Sequence, residues 1–239
     1  MEIFINAFNV ILYQPLFNAL IFLYQYLPGS DFGVAIIVLT LIIRIFLYPL
    51  TLKSIKTQKR FSEIQPRIQE IQKKHKGDKE KQAKEVMDFY QKEKVNPFGG
   101  CLPSLLQLPI LIALFWVFKN GLDPGQMSFL YGFVPDPGQI DPTFFGLLDL
   151  TKASVALALI AGASQFVQTK MMIPGLGKTA QGEGQMAQFS ILMQKQMVYF
   201  FPIFTVFILW HLPAAIGLYW SVTALFSIFQ QHLIKNSKR

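Results

Sequence analysis

Long apolar runs separated by polar segments dominate this chain. The runs cover residues 32–52, 102–118, 153–169, 197–212 and 213–234. A helix of about 20 apolar residues can cross the hydrocarbon core of a bilayer, which is about 30 Å thick. The pattern therefore predicts an all-α polytopic membrane protein with five transmembrane helices, at residues 31–53, 101–119, 152–170, 196–212 and 213–234. Composition agrees, with 52% hydrophobic and 15% charged residues and a mean hydropathy of +0.36.

Residues 1–30 are apolar but carry amides at intervals of three to seven residues, namely Asn6, Asn9, Gln14, Asn18 and Gln25. This repeat predicts an amphipathic helix lying in the outer membrane interface. A sixth span is the alternative. A signal peptide is disfavoured, because the segment lacks a basic start and an A-x-A cleavage pattern.

The segment 54–96 is polar and has helical periodicity. Apolar residues at spacings of 3, 4 and 3 predict two helices joined by a turn, with Phe61, Ile64, Ile68 and Ile71 before it and Ala83, Val86 or Met87, and Tyr90 after it. Asp78 is the expected N-cap of the second helix, and Pro66 is expected to kink or restart the first. This hairpin either links two spans or docks the ribosome, the Sec translocon or lipid headgroups, and both interpretations stay open.

Basic residues are distributed unevenly and predict the topology. Residues 53–96 hold 13 of the 22 Lys and Arg residues, whereas 1–31 and 120–151 hold none. By the positive-inside rule, 54–96, 171–195 and 235–239 are cytoplasmic and 120–151 is outside. The N-terminus is then outside and the C-terminus in the cytoplasm. The net charge of +8 predicts attraction to anionic lipids or ribosomal RNA, with no expectation of DNA binding.

Several kinds of chemistry are disfavoured. The stretch from Gly175 to Thr179 ends like a phosphate-binding loop, but the pattern needs glycine where Met172 stands. The lone Cys101 rules out an internal disulfide, and three scattered His residues offer no ligand set for a metal. We therefore expect neither an enzyme nor a bound cofactor.

Arg44 is the one ionised residue in the first apolar run. An arginine near the membrane centre costs about 2.5 to 3.5 kcal/mol on lenient scales, so it normally faces water or a partner. None of the 14 acidic residues lies in one of the five apolar runs, so the partner of Arg44 must be water, a lipid phosphate or a substrate carboxylate. Further polar residues lie in the cytoplasmic halves of the spans, among them Gln107, Gln165, Gln168, Gln230 and Gln231. They indicate either tight helix contacts or a hydrophilic groove that opens inward.

Three stretches carry a family resemblance: "IIRIFLYPLTLKS" from Ile42, "NPFGGCLPSLLQLPILIALF" from Asn96 and "FTVFILWHLPAAIGLYW" from Phe204. Over about residues 30 to 233, the chain resembles the YidC membrane protein insertase family. The resemblance implies a five-helix core with a positively charged groove open to cytoplasm and lipid. It implies Arg44 as the groove arginine, Thr40 as a neighbouring groove position, and Tyr219 and Trp220 as aromatic positions facing substrate.

The resemblance also implies that the protein inserts and helps to fold nascent membrane proteins in a bacterial plasma membrane, alone or with the Sec translocon. The long basic ribosome-binding tail of the mitochondrial relatives is not expected, since residues 235–239 are the only tail. Two alternatives remain. A small anion transporter or channel would use Arg44 to bind solute, but would usually show coupling-ion carboxylates or broken repeats. A purely structural assembly subunit would not need Arg44.

Overall fold

The computed structural model describes residues 2–75, 77–95, 102–121, 123–172, 192–193 and 195–236. Lys76, which lies in the predicted turn of the hairpin, Cys101 and the Gly175 to Thr179 stretch lie outside this part of the chain. Helical elements are α1 (Glu2–Phe8), a π-helical stretch (Asn9–Tyr13), α2 (Gln14–Tyr26), α3 (Phe32–Phe46), α4 (Tyr48–Lys74), α5 (Lys79–Lys92), α6 (Leu102–Asn120), a 3-10 turn (Pro124–Phe129), α7 (Val155–Met172), a second π-helical stretch (Gln196–Phe200), α8 (Phe201–Leu209) and α9 (Ala214–Asn236).

The first apolar run is divided between two helices. α3 ends at Phe46, α4 begins at Tyr48, and the axes of Phe32–Phe46 and Tyr48–Phe61 differ by 63°. Pro49 in the first turn of α4 accounts for the break, because proline lacks the N–H that would continue the α3 ladder and is well tolerated at a helix start. The predicted span 31–53 is thus not one straight helix.

Helix length bears on the number of membrane spans. Within the described part of the chain, Glu2–Tyr26 alone is long and apolar enough to cross a membrane, and the bent pair Phe32–Phe46 and Tyr48–Phe61 qualifies if it counts as one span. Gln107–Asn120 and Gln196–Leu209 are apolar but shorter. The count of five spans therefore stays a prediction.

α9 lies at the centre of the bundle, where it packs against α3 and α7. Two glycines bring helices close together. A Cβ on Gly217 of α9 would lie 3.3 Å from Cβ of Leu157, and a Cβ on Gly162 of α7 would overlap the Val206 side chain of α8. Small residues permit close backbone approach between membrane helices, where packing replaces the hydrophobic effect as the source of stability.

The amides of the N-terminal helix bind the loop between α6 and α7. Gln14 and Asn18 each donate to the Phe129 carbonyl at 3.0 Å, and Asn18 Oδ1 accepts from the Tyr131 amide at 2.6 Å. Gln25 Nε2 donates to the Pro135 carbonyl at 2.6 Å. Three of the five amides that defined the polar repeat thus have protein partners.

The same loop contains two short strands, which corrects the all-α prediction in this detail. β1 (Thr143–Phe144) pairs antiparallel with β2 (Leu148–Asp149), in the register Thr143↔Asp149 and Phe144↔Leu148. Phe145 and Gly146 both have positive φ, at 51° and 66°, as in the turns that match the twist of a β-hairpin. The strands are too short for an alternating pattern to reveal them in the sequence.

α4 and α5 pack along a narrow apolar seam. Ile64, Ile68 and Val95 are buried there, and the rings of Phe61 and Tyr90 stack with centroids 5.8 Å apart. Asp78 caps α5 as expected, since its carboxylate accepts from the Lys81 amide at 2.9 Å. α4 does not restart at Pro66, which lies inside the continuous helix Tyr48–Lys74.

Candidate functional site

Arg44 lies in the last turn of α3, three residues before the break at Leu47. Only 9% of its surface is exposed. Its guanidinium lies close enough to the Tyr219 hydroxyl of α9 for the two groups to interact electrostatically. The ion pairs found in the described ranges are His75 with Glu85 and Lys152 with Asp149, so no described carboxylate pairs with Arg44. The side chain is therefore a nearly buried cation without a described carboxylate partner.

Tyr219 joins α9 to α6. The Gln107 Nε2 of α6 donates a hydrogen bond to the Tyr219 hydroxyl, and Tyr219 is among the most deeply buried large side chains, at 2% exposure. Its hydroxyl therefore accepts from the amide of Gln107 and also interacts electrostatically with the guanidinium of Arg44. In this arrangement Tyr219 forms part of the inner wall of the site, not of an open surface.

Trp220, the next residue of α9, joins this helix to α7. Its indole Nε1 donates to Gln165 Oε1 at 2.9 Å. The ring also lines an apolar cavity of about 260 Å³ between α6, α8 and α9. Other residues that line this cavity are Leu111, Phe115, Thr205, Leu209 and Ile216. Adjacent residues of one helix thus contact a polar cluster and an apolar cavity.

The other two predicted positions are less directly connected. Thr40 lies one turn before Arg44 on α3, is 1% exposed, and donates its hydroxyl hydrogen to the Ile36 carbonyl at 2.6 Å. Gln168 is half-buried on α7, one turn beyond Gln165. The structure thus brings Arg44, Tyr219 and Gln107 together, joins Trp220 to Gln165, and places Thr40 and Gln168 one turn away from members of these groups.

A further contact joins α9 to the start of α4. Gln230 Nε2 donates to Thr51 Oγ1 at 2.8 Å, and Gln230 is 2% exposed. The sequence predicts Gln230 as a polar residue of the last span, whereas Thr51 lies at the end of the first apolar run and is not predicted as a site residue. Pro49 is the one signal that Thr51 belongs to a new helix. The bundle helices contain other buried polar residues, namely Ser54, Ser164, Thr205, Ser221, Ser227 and Gln231.

The chemistry available here is binding. The group around Tyr219 supplies a cation, an amide and a phenol, and the pair of Trp220 and Gln165 adds a second amide and an indole; all of these form hydrogen bonds or attract charge. Within the described residues, no group of three or more His, Cys, Asp or Glu side chains is placed to hold a metal ion.

Comparisons with known proteins find relatives that match most of the chain. The sequence model of the 60Kd inner membrane protein family matches residues 22–239. A relative named membrane protein insertase YidC, from Fusobacterium nucleatum, is 37% identical over 86% of this chain and 86% of its own length. One of the same name from Clostridium tetani is 38% identical over 87% and 83%, respectively.

Longer relatives carry additional sequence. The protein of this name from Actinobacillus succinogenes is 37% identical over 92% of this chain, but the match spans 36% of its length. A crystal structure described as active YidC insertase with the first transmembrane domain resolved is 24% identical, with a TM-score of 0.58 over 91% of this chain and 45% of that one. That likeness supports the fold. The chain belongs to the YidC membrane protein insertase family.

Proposed function

We propose that this protein inserts nascent membrane proteins into a bacterial plasma membrane and helps them to fold, acting alone or with the Sec translocon. The observation that carries the proposal is Arg44, which is nearly buried within the bundle and has no described carboxylate partner. A buried charge left unpaired is costly, so retaining one favours a binding role. A polar or acidic flank of a substrate provides the missing partner.

Five membrane helices form the core in this proposal, with a groove that is open to the cytoplasm. The hydrophilic flank of a substrate enters this groove and interacts with Arg44, Gln107, Gln165 and Gln168. Arg44 shortens the hydrocarbon distance that the flank must cross. The apolar segment meanwhile contacts the cavity beside Trp220 and partitions into lipid, and hydrophobic transfer of about 25 cal/mol per Å² drives the step.

The orientation follows from charge. The α4–α5 hairpin lies in the cytoplasm, where 13 basic residues of 53–96 attract anionic lipid headgroups, the ribosome or the translocon. The N-terminal helix lies in the outer interface. Its hydrogen bonds to the 126–135 region extend from Tyr13 to Gln25, about 18 Å along the helix axis at about 1.5 Å per residue. Such a contact favours a helix that runs along the loop.

Reconstitution tests this function directly. The purified chain in liposomes is expected to insert a single-span substrate with an acidic flank, with or without the translocon. Arg44→Lys should retain much of the activity because attraction requires only a charge, whereas Arg44→Ala should lose it. Arg60→Ala is the matched control, since it removes an exposed arginine from α4. Equal insertion by Arg44→Ala and the unaltered chain would refute a role for the charge.

The same vesicles distinguish this function from anion transport. Anion flux that depends on Arg44, without insertion, would identify a transporter or channel instead. The direction of the groove is tested with single cysteines at positions 44, 107 and 165 in a Cys101→Ser background. These cysteines are expected to react with a membrane-impermeant maleimide added from the cytoplasmic side. Reaction only from the outside would contradict the proposed orientation.

A further inference from the structure

The turn between β1 and β2 exposes two large apolar side chains. Phe145 is 68% exposed and Leu147 is 91% exposed. They lie in the stretch 142–148, which contains no charged residue. We propose that this turn, residues 145–147, inserts into the outer leaflet of the membrane and anchors the loop between α6 and α7 to the lipid. The choice of leaflet rests on the orientation given under the proposed function.

The turn is attached to the first turn of α3. The Asp31 carboxylate caps α3 by accepting from the Val34 amide at 2.8 Å, and its other oxygen accepts from the Phe145 amide. The Phe144 ring lies so close to Gly33 that a Cβ at position 33 would overlap it. Because the first apolar run begins at Phe32, these contacts hold the turn beside the point where the chain enters the membrane.

The backbone of the turn gives a second reason. Phe145 adopts a φ of 51°, a left-handed conformation that is unusual for a bulky residue. Asn, Asp or Gly would form this turn with less strain. The Leu147 amide donates to the Phe144 carbonyl at 3.1 Å, so the conformation is well defined. A strained position that carries an exposed aromatic ring favours a function for the ring itself.

Lipid is the occupant that fits these side chains. Phe and Leu are typical of the apolar faces of interfacial helices, which bury these side chains at the boundary of headgroups and acyl chains, and binding strengthens with the apolar area buried. A stable protein interface usually buries about 800 Å² on each partner, which is more than two side chains at a turn provide. The nearest charged residues after the turn are Asp149 and Lys152, which are paired with each other at 2.8 Å. Because their charges are paired, they oppose contact between the turn and the lipid less than free charges would.

Fluorescence quenching tests the proposal. Leu147→Cys and the control Gln139→Cys, each with Cys101→Ser, carry an NBD fluorophore in phosphatidylethanolamine and phosphatidylglycerol vesicles. Gln139 is an exposed polar residue of the same loop. Nitroxide on the lipid acyl chains should quench the probe at 147 several-fold more than the probe at 139. Because interfacial groups are buried about 5–10 Å, a shallow nitroxide should quench more than a deep one.

Two results would overturn the proposal. One is that lipid nitroxide quenches the probes at 147 and 139 equally and that aqueous iodide also quenches them equally. The other is a probe at 147 that is shielded from iodide but not quenched by lipid, which would mean that protein covers the turn. A third result separates the lipid contact from the orientation. If the probe at 147 is quenched by lipid, but Leu147→Cys without the fluorophore reacts with maleimide only from the cytoplasmic side, then the turn contacts lipid in the other leaflet and the proposed orientation is wrong.

A second measurement leaves the turn unaltered. A phospholipid with a diazirine in its acyl chain is photoactivated in vesicles that contain the full chain, and the adducts are mapped by mass spectrometry. Adducts are expected on residues 143–149, and they should be strongly reduced in the Phe145→Ser, Leu147→Ser double variant. Adducts on the exposed face of α8 serve as the internal reference. Labelled α8 with no adduct at 143–149 would contradict insertion of the turn.

Discussion

Trp220 donates its indole hydrogen to Gln165 across the contact between α9 and α7, over a sequence separation of 55 residues. The indole therefore has a fixed orientation, with its ring at the apolar cavity and its N–H in the polar cluster. One side chain thereby links the two kinds of surface that a partly polar, partly apolar substrate would contact.

We expect this hydrogen bond to contribute measurably to stability. Trp220→Phe and Gln165→Leu each remove one partner, and a double-mutant cycle should give a coupling of about 0.6 kcal/mol, with an upper value of about 1.7. The measurement is reversible unfolding in detergent or bicelles. The control cycle pairs Trp220→Phe with Gln168→Leu, one turn away, and should be additive. Equal coupling in the two cycles would show that the indole does not distinguish the two amides.

Tyr219→Phe tests the phenol beside Arg44. The variant leaves the Gln107 amide without its acceptor, at a cost of about 1–3 kcal/mol for a buried unsatisfied donor. Insertion of acidic-flanked substrates should fall, though less than in Arg44→Ala, because the charge remains.

Tyr13→Phe is the matched control for this variant. It also loses a buried phenol hydrogen bond, of 2.7 Å to Gln126, but in the N-terminal helix. The control should lose stability without a selective effect on acidic substrates. If both variants affect all substrates equally, then Tyr219 acts through folding alone.

The contact between α7 and α8 predicts a sharp difference between neighbouring residues. Gly162→Ala should destabilise the bundle by about 1–3 kcal/mol, because the added methyl overlaps Val206 and lies 3.1 Å from the Pro202 carbonyl. Ala163→Leu, on the exposed side of α7, should change the melting temperature little.

Compensation provides the stricter test of this contact. Val206→Ala removes the atoms that overlap, so the Gly162→Ala, Val206→Ala double variant should recover part of the stability lost by Gly162→Ala. If the double variant loses as much stability as the two single variants together, then the overlap with Val206 is not the source of the strain.

The contact between Asp149 and Lys152, in the loop between α6 and α7, should depend on pH. Hydrogen bonds from Lys152 and Thr151 lower the pKa of the Asp149 carboxyl from 3.8 to about 2. A depressed pKa stabilises the fold above the ordinary value, so this contribution is lost as the pH falls from about 4 through about 2. The effect on global stability should be small, because the carboxylate is exposed to solvent and exposed pairs contribute little.

The carboxyl pKa itself is the better measurement. It can be read from the ¹³C signal of labelled Asp149 in micelles, with Lys152→Gln as the comparison. The substitution should move the pKa upward toward its ordinary value. If the pKa of Asp149 is unchanged in Lys152→Gln, then the ion pair with Lys152 is not the cause of its low value.

Local features of this fold were accessible from the sequence. The cap at Asp78 and the apolar seam of the hairpin follow from short-range spacing, and Arg44 stands out because it interrupts an apolar run. Long-range partners were not accessible. Periodicity shows which face of a helix is polar, but the pairing of Gln107 with Tyr219 or Gln230 with Thr51 depends on how the helices pack.

Two further features have local causes. The spacing of the N-terminal amides predicts a polar helix face but not its partners, and Gln14, Asn18 and Gln25 bind carbonyls of the loop. Hydropathy extended the first span past Pro49, because the average over a window outweighs a single residue that breaks a helix.

The break at Leu47 gives the α4–α5 hairpin the geometry of a lever. α4 contains 27 residues and is therefore about 40 Å long, so a rotation of about 10° at the break would displace its far end by about 7 Å. Conversely, a force on the hairpin tip would produce a torque at the break, three residues from Arg44. A force applied to the hairpin tip would thus act close to the buried cation, and also on α9, which is joined to the start of α4 by the hydrogen bond from Gln230 to Thr51.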